Sequence, residues 1–474
     1  MKRMLLIGLL LLAGLAGCED KRAEQAKALE AELSANLAAL APAPNAPGLA
    51  YQTLTLTPAE SEADGFRGKI GCVEIAVGDG SKIPVGEIGF TLKPEGDDLR
   101  HYSDFALPET IAAELADGTE FSLKLAGVDG TATWSNAVQN WIDANLTAGR
   151  LELAVPGEKV TASADAGAYQ LATKPGADGR ADQTSSFTAS GIAFASPEAS
   201  GTVANLRVDA DVTGARMADL AALNADYRKA VGAKDMKALS DVLARMARAI
   251  GGFEVRFAAE KIDQTDVASK EHLVVGRSGF SFGMKGLDGA QSTVSAAFDY
   301  DGLELAEAAD PTDDMAMLVP TGIRLNLGFE KVPTEKLISL AGDAAASSGG
   351  ETIEGLQLAA MMFVAGIQGA LAEAGTELHI ADSLVRTPEA ETAIAGLVMM
   401  DPQAMMGATG TLEFEVAGFD KLSARLESLI GPEFANWLRG VAVEKPKDGG
   451  TRAVFELALA PDGSITVNGQ PLPQ

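Results

Sequence analysis

Short stretches of alternating apolar and polar residues dominate the chain from residue 49 onwards. Examples are YQTLTLT (51–57), KIGCVEIAV (69–77), HLVVGRSGFSFGMKG (272–286) and GTLEFEVAG (410–418). A period of two places every second side chain on the same face of a strand, so these stretches predict half-buried β-strands. The stretch RAVFELALAPDGSITVNG (452–469) predicts a hairpin that turns at Asp462-Gly463.

Helical spacing interrupts this pattern in several places. A short helix is predicted over 106–118, with Pro108 near its start, and another where Trp134, Val138 and Trp141 fall on one helical face. The longest helical stretch is 216–250, which Gly232 can divide and Gly251-Gly252 ends. Its predicted inner face comprises Met236, Leu239, Leu243, Met246 and Ile250.

A strand that hands over to a helix through a turn containing Gly or Pro recurs three times, at 206–223, 323–340 and 412–429. The spacing is irregular, so three coincidental copies of a common unit are the alternative. Taken together, the patterns predict a β-rich α+β fold of extended, twisted antiparallel sheets, with helices packed on one side and strand–turn–helix repeats.

The chain begins with Lys2 and Arg3, followed by an apolar run from Met4 to Ala16 and then Gly17-Cys18. This order is typical of a secretory signal peptide. The ending Leu15-Ala16-Gly17-Cys18 resembles the bacterial lipobox, which implies that the Cys18 thiol is alkylated with a diacylglycerol group that carries fatty-acyl chains such as palmitate. An ordinary signal peptide with an accidental cysteine is the alternative. Two acyl chains suffice for stable membrane anchoring.

These features predict five segments. Residues 1–17 are the signal peptide, and 18–48 are the lipidated Cys18 followed by a helical and Pro-rich spacer that lifts the body off the bilayer. A β-rich N-terminal subdomain (49–215), a helical segment (216–252) and a C-terminal β-rich subdomain (253–474) follow.

Charge and cysteine content argue against a nucleic-acid-binding protein and against a disulfide-stabilised fold. The net charge is −28, so nucleic acid and anionic membrane surfaces are repelled. Cys72 is the only cysteine besides Cys18, and no intramolecular disulfide can form once Cys18 is acylated. Cys72 is expected to be a small, half-buried side chain; a reactive thiol is the alternative.

Residues 355–372 contain no charged side chain. A buried helix packed on the sheet is the main interpretation. The alternatives are a helix that dips into a bilayer or gates an apolar groove, and a helix that spans the membrane. The groove residues would be Met361, Met362, Phe363, Ile367 and Leu371. The pairs Met361-Met362, Met399-Met400 and Met405-Met406 are expected to fill the core or to line such a groove.

No catalytic or metal-binding motif is present. His101, His272 and His379 are far apart in sequence, and none has a second histidine or cysteine at ligand spacing. The sequence therefore predicts no catalytic residues, no metal ligands and no cofactor, and a protein that is not an enzyme.

The terminal motif Val-Asn-Gly-x-Pro-Leu-Pro (467–473) follows the last hairpin. This ending, after a strand–turn–helix array, resembles the YdgA-like periplasmic proteins and a related alphaproteobacterial family of unknown function. The lipobox departs from the transmembrane anchor that many such proteins carry. A wider kinship to AsmA-like envelope proteins would imply an extended, curved sheet with an apolar inner face.

The expected role is that of a non-catalytic protein, anchored through Cys18 to the inner or outer membrane on the periplasmic side of a Gram-negative bacterium. It would bind a lipid or apolar partner in a groove of its sheet. The alternatives are a scaffold lipoprotein that docks other envelope proteins and, behind it, an enzyme.

Overall fold

In a computed structural model, the chain is β-rich, with 56% of the residues that the structure describes in strands and 23% in helices. The structure describes residues 21–473 except 39, 43–45, 78–79, 234, 306–317, 348–363, 365 and 448–449. The chain forms two compact units. The N-terminal unit comprises the described residues up to Pro175 together with Ala221–Asp235, and the C-terminal unit comprises Gly176–Leu220 and Met236 onwards.

The N-terminal unit is built from twelve described strands. They are β1 (Gly48–Ala50), β2 (Thr53–Pro58), β3 (Phe66–Ala76), β4 (Lys82–Glu95), β5 (Leu99–Ala106), β6 (Thr110–Glu114), β7 (Glu120–Leu125), β8 (Asp129–Ser135), β9 (Asn140–Ala148), β10 (Leu151–Val155), β11 (Val160–Ala164) and β12 (Ala166–Pro175). Strand β3 pairs with β1 and β2 on one side and with β4 on the other, and the ladder continues through β5, β8, β9 and β12. Strands β6, β7, β10 and β11 form a second ladder, and all of these pairings are antiparallel.

Helix α1 (21–38) packs on the long ladder of the N-terminal unit. Its Ala26 and Leu29 are buried in one cluster with Phe66, Leu92 and Tyr102. The expectation that 18–48 is a spacer does not describe this helix, because its apolar stripe lies in the core of the unit. The spacing of Leu29, Leu33 and Leu37 in steps of four marks that stripe in the sequence, but nothing nearby in the chain indicates the sheet that covers it.

A buried ion pair fixes α1 to the sheet. Arg100 of β5 is 7% exposed, and its Nε and Nη2 donate to Oε1 and Oε2 of Glu32, each at 2.9 Å. The Asn136 amide donates to the same carboxylate at 3.1 Å. Burial raises the pKa of Glu32, but the hydrogen bonds from Arg100 and Asn136 outweigh it, so the pKa is lowered overall.

The C-terminal unit contains a long antiparallel meander. Its strands are β13 (Arg180–Ala195), β14 (Ala199–Arg216), β15 (Gly252–Asp266), β16 (His272–Lys285), β17 (Ser292–Leu305), β18 (Gly322–Val332), β19 (Glu377–Arg386), β20 (Glu391–Met400), β21 (Ala408–Ala417), β22 (Val443–Lys447), β23 (Gly450–Leu459), β24 (Ile465–Val467) and β25 (Gln470–Pro471). From β13 to β21 each strand pairs with the next, and β21 then pairs with β23. Strands β22 and β24 both pair with β23.

The remaining described helices are α2 (Met217–Ala233), α3 (Met236–Arg248), α4 (Thr334–Ser347), α5 (366–374), α6 (Phe419–Ile430) and α7 (Pro432–Val441). Helices α2, α4 and α6 follow β14, β18 and β21, which confirms the three predicted strand–helix units. Helices α6 and α7 pack against β21 and β23 in a cluster that includes Val416, Phe455 and Trp437. Helices α3 and α4 pack on each other, and Ser240 Oγ donates to the Ile338 carbonyl at 3.3 Å.

The unit boundary differs from the predicted one, which lay at the helical segment 216–252. Strands β13 and β14 precede that segment, but β14 pairs with β15 along nearly its whole length. Strand pairing therefore places them in the C-terminal unit, while residues 221–233 of α2 belong to the N-terminal unit.

Two predicted helices are wrong. The stretch 106–118 contains β6, whose Ile111 is buried beside Val73 and Val85, so pairing with β7 overrides local helix propensity. Trp134 and Trp141 are directly paired residues of the β8–β9 hairpin, with ring centroids 5.5 Å apart. Two residues seven apart are neighbours both on one face of a helix and across a tight hairpin, so their spacing alone does not distinguish the two structures.

Three side-chain expectations are also wrong. In α3 the buried residue is Val242, whereas Met236 and Leu243 of the predicted inner face are exposed. Met405 is 82% exposed, so it does not fill the core. Cys72 is exposed rather than half-buried, because it sits at an irregular position of β3 with φ of 53°.

Candidate functional site

The predicted site residues lie largely outside the described part of the chain. Cys18, Met361, Met362 and Phe363 are among the residues that the structure does not describe. Ile367 and Leu371 lie on α5 and are half-buried. Helix α5 packs on α4, since a side chain added at Gly366 would meet Leu340 at 3.0 Å. None of the described helices is long and apolar enough to cross a membrane.

A continuous apolar surface lies elsewhere, on one face of the C-terminal sheet. Strand register places six large apolar side chains directly opposite one another across β13 to β18. We call them the phenylalanine row: Phe187, Val208, Phe257, Phe280, Phe298 and Leu325. Directly paired residues of an antiparallel sheet share a face, so the six side chains form one stripe perpendicular to the strands.

Flanking rows on the same face are also almost free of polar groups. The row two residues to one side is Ser185, Ala210, Val255, Phe282, Ala296 and Leu327, and it continues through Ile380, Gly396, Leu412 and Leu457. The row on the other side is Ala189, Leu206, Ala259, Ser278, Tyr300 and Ile323. Phe298 contacts Tyr300 with ring centroids 5.9 Å apart, as expected for neighbouring rows on one face. We call the three rows together the apolar face.

The described residues leave the phenylalanine row partly uncovered. Phe280 is 48% exposed and Phe298 is 41% exposed, whereas phenylalanines in a core are normally buried. Further along the same face, α6 and α7 cover β21 and β23 and bury Val416 and Phe455. An exposed, contiguous apolar patch of this kind is typical of an interaction surface.

The opposite face of the same strands is charged. Arg256 Nη1 lies 2.9 Å from Glu254 Oε1, and its other terminal nitrogen pairs with Asp211. Arg207 Nε lies 2.8 Å from Asp209 Oδ2, a contact that lowers the pKa of the carboxyl. This network is typical of a solvated face, so the sheet has two faces of opposite character.

Comparison of the chain with protein-family models, with curated proteins and with solved structures finds no match to any of them. The site must therefore be interpreted from its own geometry.

The apolar face has no acid or base that could activate a nucleophile under ordinary conditions. Its one titratable side chain is Tyr300, whose pKa is raised by burial and whose hydroxyl donates to the Pro320 carbonyl at 3.0 Å. Such a surface can bind apolar groups, but it offers no means of general acid–base catalysis.

One group of described side chains could hold a metal ion, which sequence spacing did not indicate. Glu330 of β18 and Glu377 of β19 are directly paired, and His379 Nε2 lies 3.4 Å from Glu377 Oε2. The ammonium of Lys331 is already bound to Glu377, and this contact lowers the pKa of Glu377. Lys331 therefore already supplies a cation to this group, and Glu330 is exposed, so the contacts of these side chains do not require a metal ion.

A small polar pocket lies on the charged face between β16 and β19. Arg277 lies 3.3 Å from Asp299, and Arg386 lies 3.1 Å from Asp301, so these charges neutralise one another. Arg324 lines the same pocket and forms no ion pair with the described residues. The pocket therefore offers a single uncompensated guanidinium, far less than an anion site usually has.

Proposed function

We propose that this protein is a lipid-anchored cell-envelope protein that binds acyl chains on the apolar face of its C-terminal sheet. The phenylalanine row carries the proposal, because six large apolar side chains lie side by side and the described residues do not bury them. We further propose that the helices keep to the side of the sheet on which α6 and α7 already lie.

The lack of polar groups favours an acyl chain over a protein as the partner. Protein interfaces carry roughly one hydrogen bond per 100–200 Å². Across β13 to β18 the apolar face offers only Ser185, Ser278 and Tyr300, and the Tyr300 hydroxyl is already used. A hydrocarbon chain needs no such groups.

The dimensions of the phenylalanine row suit an acyl chain. Six neighbouring strands are separated by five spacings of about 4.8 Å, so the row is about 24 Å long. Half of the hydrocarbon core of a bilayer, which one acyl chain spans, is about 15 Å. A chain lying across the strands can therefore contact most of the row.

The available binding energy is moderate. The four phenylalanines are between 38% and 48% exposed, and a buried aromatic side chain covers about 200 Å². Covering the rest would remove about 320 Å² from water, worth about 8 kcal/mol at 25 cal/mol per Å². An acyl chain buries a similar area of its own, which doubles the gain to about 16 kcal/mol. The loss of translational freedom and the ordering of the chain cost roughly half of this, so micromolar affinity is expected.

The membrane anchor is the second part of the proposal. The basic start, apolar run and Leu15-Ala16-Gly17-Cys18 ending support acylation of Cys18 after export. A protein held at a membrane in this way would meet its lipid ligand at high local concentration, which compensates for moderate affinity.

The test uses the mature chain with Cys18→Ser and the fluorescent fatty acid cis-parinaric acid as the probe. Phe280→Asp places a charge in the middle of the phenylalanine row, and we expect binding to weaken at least tenfold. Ser281→Asp is the matched control, because Ser281 lies next in β16 on the opposite face, paired with Arg256. It should bind the probe as the parent does.

Equal binding by both variants, or no binding by the parent, would overturn the acyl-chain proposal. If the parent is instead a dimer that Phe280→Asp converts to a monomer, a second copy covers the face. Sedimentation of the two variants measures this outcome directly.

A further inference from the structure

The first turn of α1 is tied to the loop between β2 and β3. Arg22 Nη1 donates to the Ala59 carbonyl at 2.9 Å, and Nη2 donates to the carbonyls of Ser61 and Gly65 at 3.2 and 3.0 Å. The guanidinium carbon also lies 5.8 Å from the centre of the Phe66 ring. Four contacts of one side chain hold this end of the helix in place.

The rest of α1 cannot slide or lift, because several independent contacts hold it. Ala26 and Leu29 are buried, the Glu32–Arg100 pair is bidentate, and the Leu56 amide donates to Glu30 at 3.3 Å. The helix is therefore a fixed part of the N-terminal unit from its first turn.

Only three residues separate Cys18 from Arg22. A chain segment spans at most about 3.5 Å per residue, so the two α-carbons lie no more than about 14 Å apart. A flexible spacer of the 31 residues from 18 to 48 would instead allow a root-mean-square separation of about 30 Å.

We infer that acylated Cys18 holds the β2–β3 loop, residues 59–65, at the membrane surface. The inference rests on the acylation of Cys18 that we propose above. The partner is the headgroup layer of the bilayer, and one end of the N-terminal unit makes the contact.

The chemistry of the loop fits the headgroup layer and not the hydrocarbon. Glu60 and Asp64 are exposed, while the apolar residues Ala59 and Phe66 are buried. Exposed carboxylates do not enter hydrocarbon, so the loop rests at the surface without inserting.

The experiment places a fluorescent label on the acylated full-length mature protein in vesicles that contain headgroup-nitroxide phosphatidylcholine. In a Cys72→Ser background, one label goes on Ala63→Cys in the loop and a second on Lys82→Cys. Both positions are exposed. Lys82 is paired with Ala76 at the other end of β3, which is about 30 Å from Phe66 along the strand.

We expect at least threefold stronger quenching at residue 63 than at residue 82. Inserting a twelve-residue Gly/Ser segment between Asp20 and Lys21 should abolish this difference while leaving the acyl chains in place. Equal quenching at both positions without the insertion would overturn the inference.

Mass spectrometry of the same preparation separates this outcome from failure of the anchor itself. An unmodified Cys18 would refute the proposed lipidation, and with it this inference. An acylated Cys18 with equal quenching would refute the orientation alone.

Discussion

The ion pair between Glu32 and Arg100 gives the sharpest stability prediction. Glu32→Gln keeps the shape of the side chain and the acceptor for Asn136 but removes the negative charge. Arg100 would keep its hydrogen bonds to the carbonyls of Gly96, Asp97 and Leu99, yet its buried charge would lose the carboxylate that pairs with it directly.

The size of the effect follows from the burial of the two partners. Removing one partner of a fully buried pair costs about 3–5 kcal/mol, and fully exposed pairs contribute about 0.2–1 kcal/mol. The side chain of Arg100 is 8% exposed and that of Glu32 is 32% exposed. We therefore expect Glu32→Gln to lower the free energy of unfolding of the N-terminal unit by about 2 kcal/mol.

Urea denaturation followed by tryptophan fluorescence can measure this change. Trp134 and Trp141 lie in the N-terminal unit, so a Trp437→Phe background makes the signal specific for that unit. With a denaturant slope of about 2 kcal/mol per molar, the midpoint should fall by about 1 M.

Glu87→Gln is the matched control, since Glu87 pairs with Lys69 at 2.9 Å and both side chains are at least 60% exposed. It should change the free energy by less than about 0.5 kcal/mol. If the two variants shifted the midpoint equally, the argument from burial would be refuted.

The pH dependence provides a second readout. Because the pKa of Glu32 is lowered on folding, its contribution is complete above the ordinary glutamate pKa of about 4.3. That contribution is lost as the pH falls through the lowered value in the folded protein. Glu32→Gln should remove this part of the acid sensitivity.

Two further predictions concern the same core. Burial, reinforced by the carboxylate of Glu32, raises the pKa of Tyr102 to about 12. The stability that depends on its protonated hydroxyl is therefore lost as the pH rises from about 10 to 12. Tyr102→Phe should reduce this loss in urea titrations at several pH values, and an unchanged pH profile would contradict the prediction. A side chain at Gly68 would meet the Phe90 ring at 2.2 Å, so Gly68→Ala should destabilise the N-terminal unit by about 1–3 kcal/mol. Gly157→Ala is the control, because a side chain there would meet nothing within 4 Å, and it should leave the urea midpoint almost unchanged.

Alternation along the chain was sufficient to predict most strands. The stretches 272–286 and 410–418 correspond to β16 and β21, and the turn at Asp462-Gly463 separates β23 from β24. Alternation with a period of two involves only residues close together in the chain, so it can be recognised in a single sequence. The antiparallel, β-rich fold is confirmed for the described residues.

Pairing between distant segments could not be predicted in the same way. Ile111 lies in an Ala- and Glu-rich stretch whose composition favours a helix, and only contact with Val73 and Val85 selects the strand. Residues 21–38 are helical as predicted, but the sheet that covers their apolar stripe is built from later residues.

The phenylalanine row illustrates the same limit for the candidate site. Each of Phe187, Phe257, Phe280 and Phe298 is one ordinary apolar position in its own strand. Only the register of five successive strand pairs places them in one line. The run 355–372 is apolar over consecutive residues and so is visible in the sequence, but it lies mostly outside the described residues.

The N-terminal unit is discontinuous in the chain, which has a consequence for its assembly during synthesis. Arg228 of α2 donates to the carbonyls of Leu40, Ala41 and Pro47, so these early residues gain their last partner from a segment made 187 residues after Ala41. At about 5–20 residues per second, the ribosome needs about 10 to 40 s to make that stretch. The N-terminal unit therefore stays incomplete while two strands of the other unit are synthesised, because the residues around Ala41 still lack their contacts with Arg228. During this interval a chaperone that binds nascent chains could act on the N-terminal unit.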